Sequence, residues 1–282
     1  MLELAQVLER RDIATWVAFF KVADIPVLKQ TAREIKRLND DEDNTSPRDI
    51  ALVVLNDPMM VFKVLTYMQK HKSSSQLQDL VQVEQAILML GTTTFFQHIP
   101  PSPLVEDTMQ QNLTALTQLL KLIRRSHRAA HYATEWAARL MDLHADDVRI
   151  AALLYSLSEM LMWCFATDKM NTILKLQQAD RTLRSSVAQE QVLGFHLQDL
   201  QKEMVAAFEL PPLLSQLMDD RASEQQRVKN VKCAVNLARH SANGWDDAAL
   251  PDDYRDIAAL LRVDVGRAIE IIGAPKDGIS RE

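Results

Sequence analysis

Residues Ala151–Phe165, AALLYSLSEMLMWCF, form the longest apolar run of the chain, interrupted only by Tyr155, Ser156, Ser158 and Glu159. A segment apolar on nearly every side must be enclosed on nearly every side. The run is shorter than the roughly 20 apolar residues that a bilayer demands, so it reads as the central helix of a soluble, all-helical core. The rest of the sequence agrees with that class. Only 6 of the 282 residues are glycine, good helix formers abound, and the period-2 alternation of strands is almost absent. With 47% apolar residues the chain can bury a core large enough for one big domain or two lobes.

The formal net charge of −6 gives no broad attraction to nucleic acid or anionic lipid, and neither is expected as a partner. Cys164 and Cys233, the two cysteines, make neither a disulfide framework nor a thiolate metal site and read as core thiols. The N-terminus MLELAQVLERRD lacks the cationic and apolar regions of a secretory signal. The expected location is the cytoplasm.

Along the chain, Leu2–Arg10 and Ile13–Val22 read as helices, with Asp12 a cap and Trp16, Phe19 and Phe20 an aromatic cluster. Two readings of that cluster stand: docking on the chain's own core, or a dimer contact. Val27–Leu38 ends in NDDEDNTSP. This is no calcium loop, because the sixth-position Gly and twelfth-position Glu of an EF-hand are missing. Instead Ser46 caps a helix that opens at Pro47, where the missing N–H costs nothing. Asn56-Asp57-Pro58 turns the chain into Met59–Gln69, and Val83–Leu90 ends at Gly91, a residue that tolerates positive φ. Pro100, Pro101 and Pro103 stiffen a connection taken as the junction of two lobes. The expected division is an N-terminal extension over 1–22, a first lobe over 23–112, and a second lobe with a C-terminal extension over 113–282.

A long helix from Leu113 to about Leu143 carries His127 and His131, which at i, i+4 share a face. That spacing could hold a metal, but a zinc peptidase helix reads His-Glu-x-x-His and Arg128 stands where the Glu would be. The plainer reading is one histidine on the polar face and one satisfied near the core. No glycine-rich phosphate loop and no G-x-S-x-G occurs, which removes ATPase, dehydrogenase and esterase readings. Ser156 with His127 lacks identifiable oxyanion donors and an orienting acid, so it makes no nucleophile–base pair.

From Ile25 to Leu214 the chain resembles the HDOD family, bacterial signalling modules related to HD-type metal phosphohydrolases. The resemblance rests on Ile25-Pro26-Val27-Leu28, Asn56-Asp57-Pro58, VEQAILMLG over Val83–Gly91, the His127 helix, Ala151–Met162, Leu193-Gly194 and Leu210-Pro211. Arg227–Asp247 resembles the helical extension that follows in such proteins. Gln69-Lys70 departs from an Asn-Ser common in the family, and His196 stands one place from a customary His.

The resemblance implies four vestigial metal positions. They fall on His127, Tyr155, Ser156 and Asn236, so a phenol, an alcohol and an amide replace a His-Asp pair and a later Asp. The implied protein is not an enzyme, carries no metal or other cofactor, and acts as a regulatory module on a protein partner. The alternatives are a residual metal-dependent phosphohydrolase or phosphodiesterase, and a nucleotide sensor without turnover. Expected ligand or partner contacts are His98, His127 and His131, together with Trp16, Phe19 and Phe20.

Overall fold

A computed structural model describes residues 12–71, 82–180, 182–217 and 219–275. The expected helix over 2–10 and most of the HKSSSQ stretch lie outside the described residues. Among those described, helix follows helix with no strand, and the fold is all-α. The chain opens with α1 (Ile13–Val22), α2 (Lys29–Asp40), α3 (Pro47–Val54) and α4 (Pro58–Lys70). It continues through α5 (Val83–Leu90), α6 (Thr92–His98) and the single turn α7 (Val105–Thr108) to the long α8 (Leu113–Arg139). Next come α9 (Ala145–Leu154), α10 (Leu157–Phe165), α11 (Thr167–Ala179), α12 (Ser185–Leu193) and α13 (Leu197–Ala207). The short α14 (Pro212–Leu217) precedes α15 (Gln226–His240), α16 (Leu250–Leu261) and α17 (Val265–Ile272).

Local chemistry explains most of the boundaries. Asp12 caps α1 by accepting from the Thr15 backbone at 2.8 Å. Ser46 and Asp49 form a reciprocal capping box ahead of Pro47, satisfying donors that the first helical turn leaves without partners. At the end of α5, Gly91 takes φ +83°, which a side chain would disfavour. Helix α8 stops at Arg139, earlier than expected. Met141 turns left-handed at φ +53°, and the Asp142 carboxylate is held by Arg227 Nε at 2.8 Å.

The long apolar run is not one helix. It divides at Tyr155-Ser156 into α9 and α10. In a continuous α-helix the Ser158 N–H would donate to the Leu154 carbonyl four residues back. Here it donates at 2.7 Å to Oε1 of Gln201, a buried residue of α13, while the Ser158 hydroxyl donates to the Leu197 carbonyl at 2.9 Å. A side chain inserted into the ladder is a recognised cause of such a break. The stretch also reaches further than expected. Ala145–Phe165 is long and apolar enough to cross a membrane by length and composition, with a mean hydropathy of 1.4, but 67% of its most apolar window is buried inside the protein, as in a core.

The chain divides into two compact units. The first takes residues up to Lys121 together with Ser156–Leu210, and the second takes Leu122–Tyr155 together with everything from Pro211. This differs from the division at 112/113 drawn from the prolines, which are tied inside the first unit. The Val27 N–H donates to the Pro103 carbonyl and the Val105 N–H to the Val27 carbonyl, both at 2.9 Å. Lys63 Nζ donates to the Ser102 carbonyl at 2.6 Å. Three prolines stiffen a strap here and do not mark a domain boundary.

In the first unit, α3 packs on α5, α4 on α5, α1 on α13, and α10 on α13. Its polar centre is Asp57, fully buried. One carboxylate oxygen accepts from the Met59 and Met60 backbones at 3.0 and 3.2 Å, capping α4, and the other accepts from Leu28 N–H at 2.7 Å. The Asp57 turn thereby fixes the Ile25–Leu28 segment. Burial pushes its carboxyl up, against these donors and the Thr31 hydroxyl, which pull it down. In the second unit, α15 is the common partner of α9, α14 and α16, and α17 packs on α16. Buried Asn230 of α15 donates to the Ala133 carbonyl of α8 at 3.0 Å.

Candidate functional site

The polar face of α8 lines a cavity of about 470 Å³ in the second unit. Arg124, His127, Arg128, His131, Tyr132 and Glu135 contribute, facing Ile271, Ile272 and Gly273 at the end of α17. Their spacing of i, i+3, i+4, i+7, i+8 and i+11 is that of one helical stripe. Arg128 is oriented by two bonds to Ser241, one to its carbonyl at 3.2 Å and one to its hydroxyl at 2.9 Å. The guanidinium also lies 6.0 Å from the Tyr132 ring centre. Tyr132 in turn stacks on fully buried Trp136 at 5.7 Å. Glu135 pairs with Arg139 at 2.8 Å.

Of the residues expected to matter, His127 and His131 do share this wall, His127 half-buried and His131 exposed. Neither is a core histidine. His98 lies elsewhere, exposed at the end of α6, its ring 6.1 Å from Tyr67, which stacks on His71 at 4.0 Å. The aromatic cluster docks on its own unit. Trp16 and Phe20 are buried at 1% and 2% exposure, and Phe165 of α10 meets Phe19 at 5.2 Å and Phe20 at 5.9 Å.

The positions that the resemblance gives to metal ligands carry no anionic donor. Tyr155 and Ser156 form the turn between α9 and α10, and the Asn236 amide oxygen accepts from Arg239 at 3.4 Å. Among the described residues no three His, Cys, Asp or Glu side chains converge as a metal site would require. A phenol, a hydroxyl, an amide and a single imidazole are not the donor set of a divalent ion that activates water.

Two features escaped the sequence reading. Buried Asp253 accepts at 2.6 Å from His240 Nδ1, while Arg239 meets the other ring nitrogen at 3.0 Å. Burial raises the Asp253 carboxyl above its ordinary value, against the pull of His240. Asp142 behaves oppositely: burial pushes it up, but the bonds from Arg227 and the His144 backbone outweigh that and hold it low. Burial pushes both thiols up, Cys233 to about 12 and Cys164 further, its sulfur 3.9 Å from that of Met59.

Solved structures share this architecture. The chain superposes on a virulence factor of Campylobacter jejuni subsp. jejuni with TM-score 0.67 at 14% identity, covering 96% of this chain and 98% of that one. The MmoQ response regulator of Methylococcus capsulatus str. Bath matches with TM-score 0.61 at 14% identity, over 91% of this chain and 96% of that one. At such identities the likeness is one of fold. No curated protein matches the sequence. The profile of the HDOD domain matches residues 25–223, most of the first unit and residues 122–155 and 211–223 of the second. The chain therefore belongs to the HDOD family.

Proposed function

We propose that this chain is a non-catalytic regulatory module of bacterial signal transduction, acting in the cytoplasm by presenting a surface to a protein partner. One observation carries the reading. Three of the four positions that the family resemblance gives to metal ligands hold Tyr155, Ser156 and Asn236, and none supplies a carboxylate or an imidazole. A fold shared with a response regulator supports the signalling context, and the net charge of −6 speaks against nucleic acid as the partner.

The test is elemental analysis of protein purified without chelator, together with phosphomonoester and cyclic dinucleotide assays. No stoichiometric iron, manganese, zinc or magnesium and no chelator-sensitive turnover are expected. One equivalent of metal bound through His127, or hydrolysis lost on chelation and in His127→Ala, would overturn the reading in favour of a phosphohydrolase.

A further inference from the structure

The α8 stripe sets two arginines and two histidines side by side in an acidic protein. Arg124, His127, Arg128 and His131 stand at i, i+3, i+4 and i+7 on the wall of one cavity. Arg124 and Arg128, like charges at i, i+4, disfavour the helix that carries them. Glu135, the acid in the lining, is engaged by Arg139. Arg128 is already held in place by Ser241, which removes much of the ordering cost of binding through a long side chain. The facing wall is of another character. Ile271, Ile272 and Gly273 supply apolar surface beside the Tyr132 ring, and Gly273, left-handed at φ +69°, meets nothing within 4 Å of where a Cβ would stand.

We infer that this cavity binds a small molecule bearing more than one phosphoryl group and a flat, apolar body. The phosphoryl oxygens would lie along the stripe, which at 1.5 Å per residue extends about 10 Å, too long for a lone carboxylate and suited to a diphosphate. The flat body would rest on Ile271, Ile272 and Tyr132. A volume of about 470 Å³ falls within the range of small-ligand sites. The facing wall comes from α17, beyond the family-matched residues 25–223, so the site depends on this chain's C-terminal helices. Nothing in it requires that the chain be catalytic or otherwise.

Calorimetric titration of the full chain with ADP, inorganic pyrophosphate and adenosine, without added metal, tests the inference. Pyrophosphate should bind saturably, ADP more tightly, and adenosine far more weakly, with affinities for both anions falling as salt rises. Arg124→Gln with His131→Gln, at exposed positions, should weaken both anions at least about tenfold at an unchanged melting temperature, the effect expected of lost charged contacts. Ile271→Ser should weaken ADP and leave pyrophosphate alone. Failure of both anions to saturate the protein at millimolar concentration, or titrations unchanged in the double variant, would overturn the site. Turnover of bound ADP would instead refute the non-catalytic reading while supporting the site.

Discussion

The two units satisfy their buried polar groups in different ways. In the first, side chains bond to backbone: Asp57 to three N–H groups, Lys63 to the Ile25 and Ser102 carbonyls, Ser158 to the Leu197 carbonyl, and Gln201 to the Ser158 N–H. In the second, such bonds also occur, as from Asn230 to the Ala133 carbonyl, but ion pairs stand beside them: Arg227 with Asp142 and His240 with Asp253. Bonds of the first kind position chain segments, and removing one leaves main-chain donors buried without partners. Bonds of the second kind are ionic and respond to pH. The first unit is therefore built to hold a shape, and the second keeps charged groups where solution conditions and ligands can act on them.

The largest effect should come from Asp57→Ala, which leaves the Leu28, Met59 and Met60 N–H groups without their acceptor. We expect a loss of about 3–5 kcal/mol in urea unfolding; a loss below about 1 kcal/mol would end the contrast between the units. Leu161→Ala in the first unit and Leu154→Ala in the second, both fully buried, should each cost about 2–5 kcal/mol. Near-equal values would show that packing is common to the units and only their polar chemistry differs. An unchanged melting temperature in either variant would show that its half of the apolar run is not enclosed.

The ionic pairs should show smaller, pH-dependent effects. Asp142 is held below its ordinary value, so its contribution is present above the unfolded carboxylate value, near 4, and is lost as pH falls through the depressed folded value. Asp142→Asn should cost about 1 kcal/mol at neutral pH, and the gap from wild type should close in acid. Asp253, raised by burial, has the opposite sign. Its carboxyl favours folding below the unfolded value, and that advantage is lost as pH rises through the raised one. Stability of Asp253→Asn relative to wild type should therefore improve with rising pH across that window. The smallest effect belongs to Arg124→Gln, within about 0.5 kcal/mol of wild type, as for an exposed residue that organises nothing.

What could be read from the sequence was what is decided locally. Ser46-Pro47, Asp57-Pro58 and Gly91 each start or stop a helix through atoms a few residues away, and their roles were legible. The break at Tyr155-Ser156 was not, because the group that causes it, Gln201, arrives from a helix far along the chain. The prolines misled for a similar reason: their stiffness is local, but Val27 and Lys63 decide where the strap lies. The candidate cavity was half legible. The i, i+4 rule joined His127 to His131 and applies equally to Arg124 and Arg128, which look like ordinary solvated charges until Ile271 and Ile272 close the opposite side. His240 and Asp253 were invisible as a pair because a hydrogen bond across a helix–helix contact has no fixed sequence spacing.

The division of the apolar run between two units bears on how the protein is made. Neither unit is continuous in sequence: the second begins before the first is complete and ends after it. As the chain leaves the ribosome, α9 emerges while α14 and α15, on which it packs, lie on a stretch not yet translated. At 5–20 residues per second that interval lasts roughly 5–15 s. During it this half of the apolar run is open to chaperones, and a stalled or truncated translation product would expose it indefinitely.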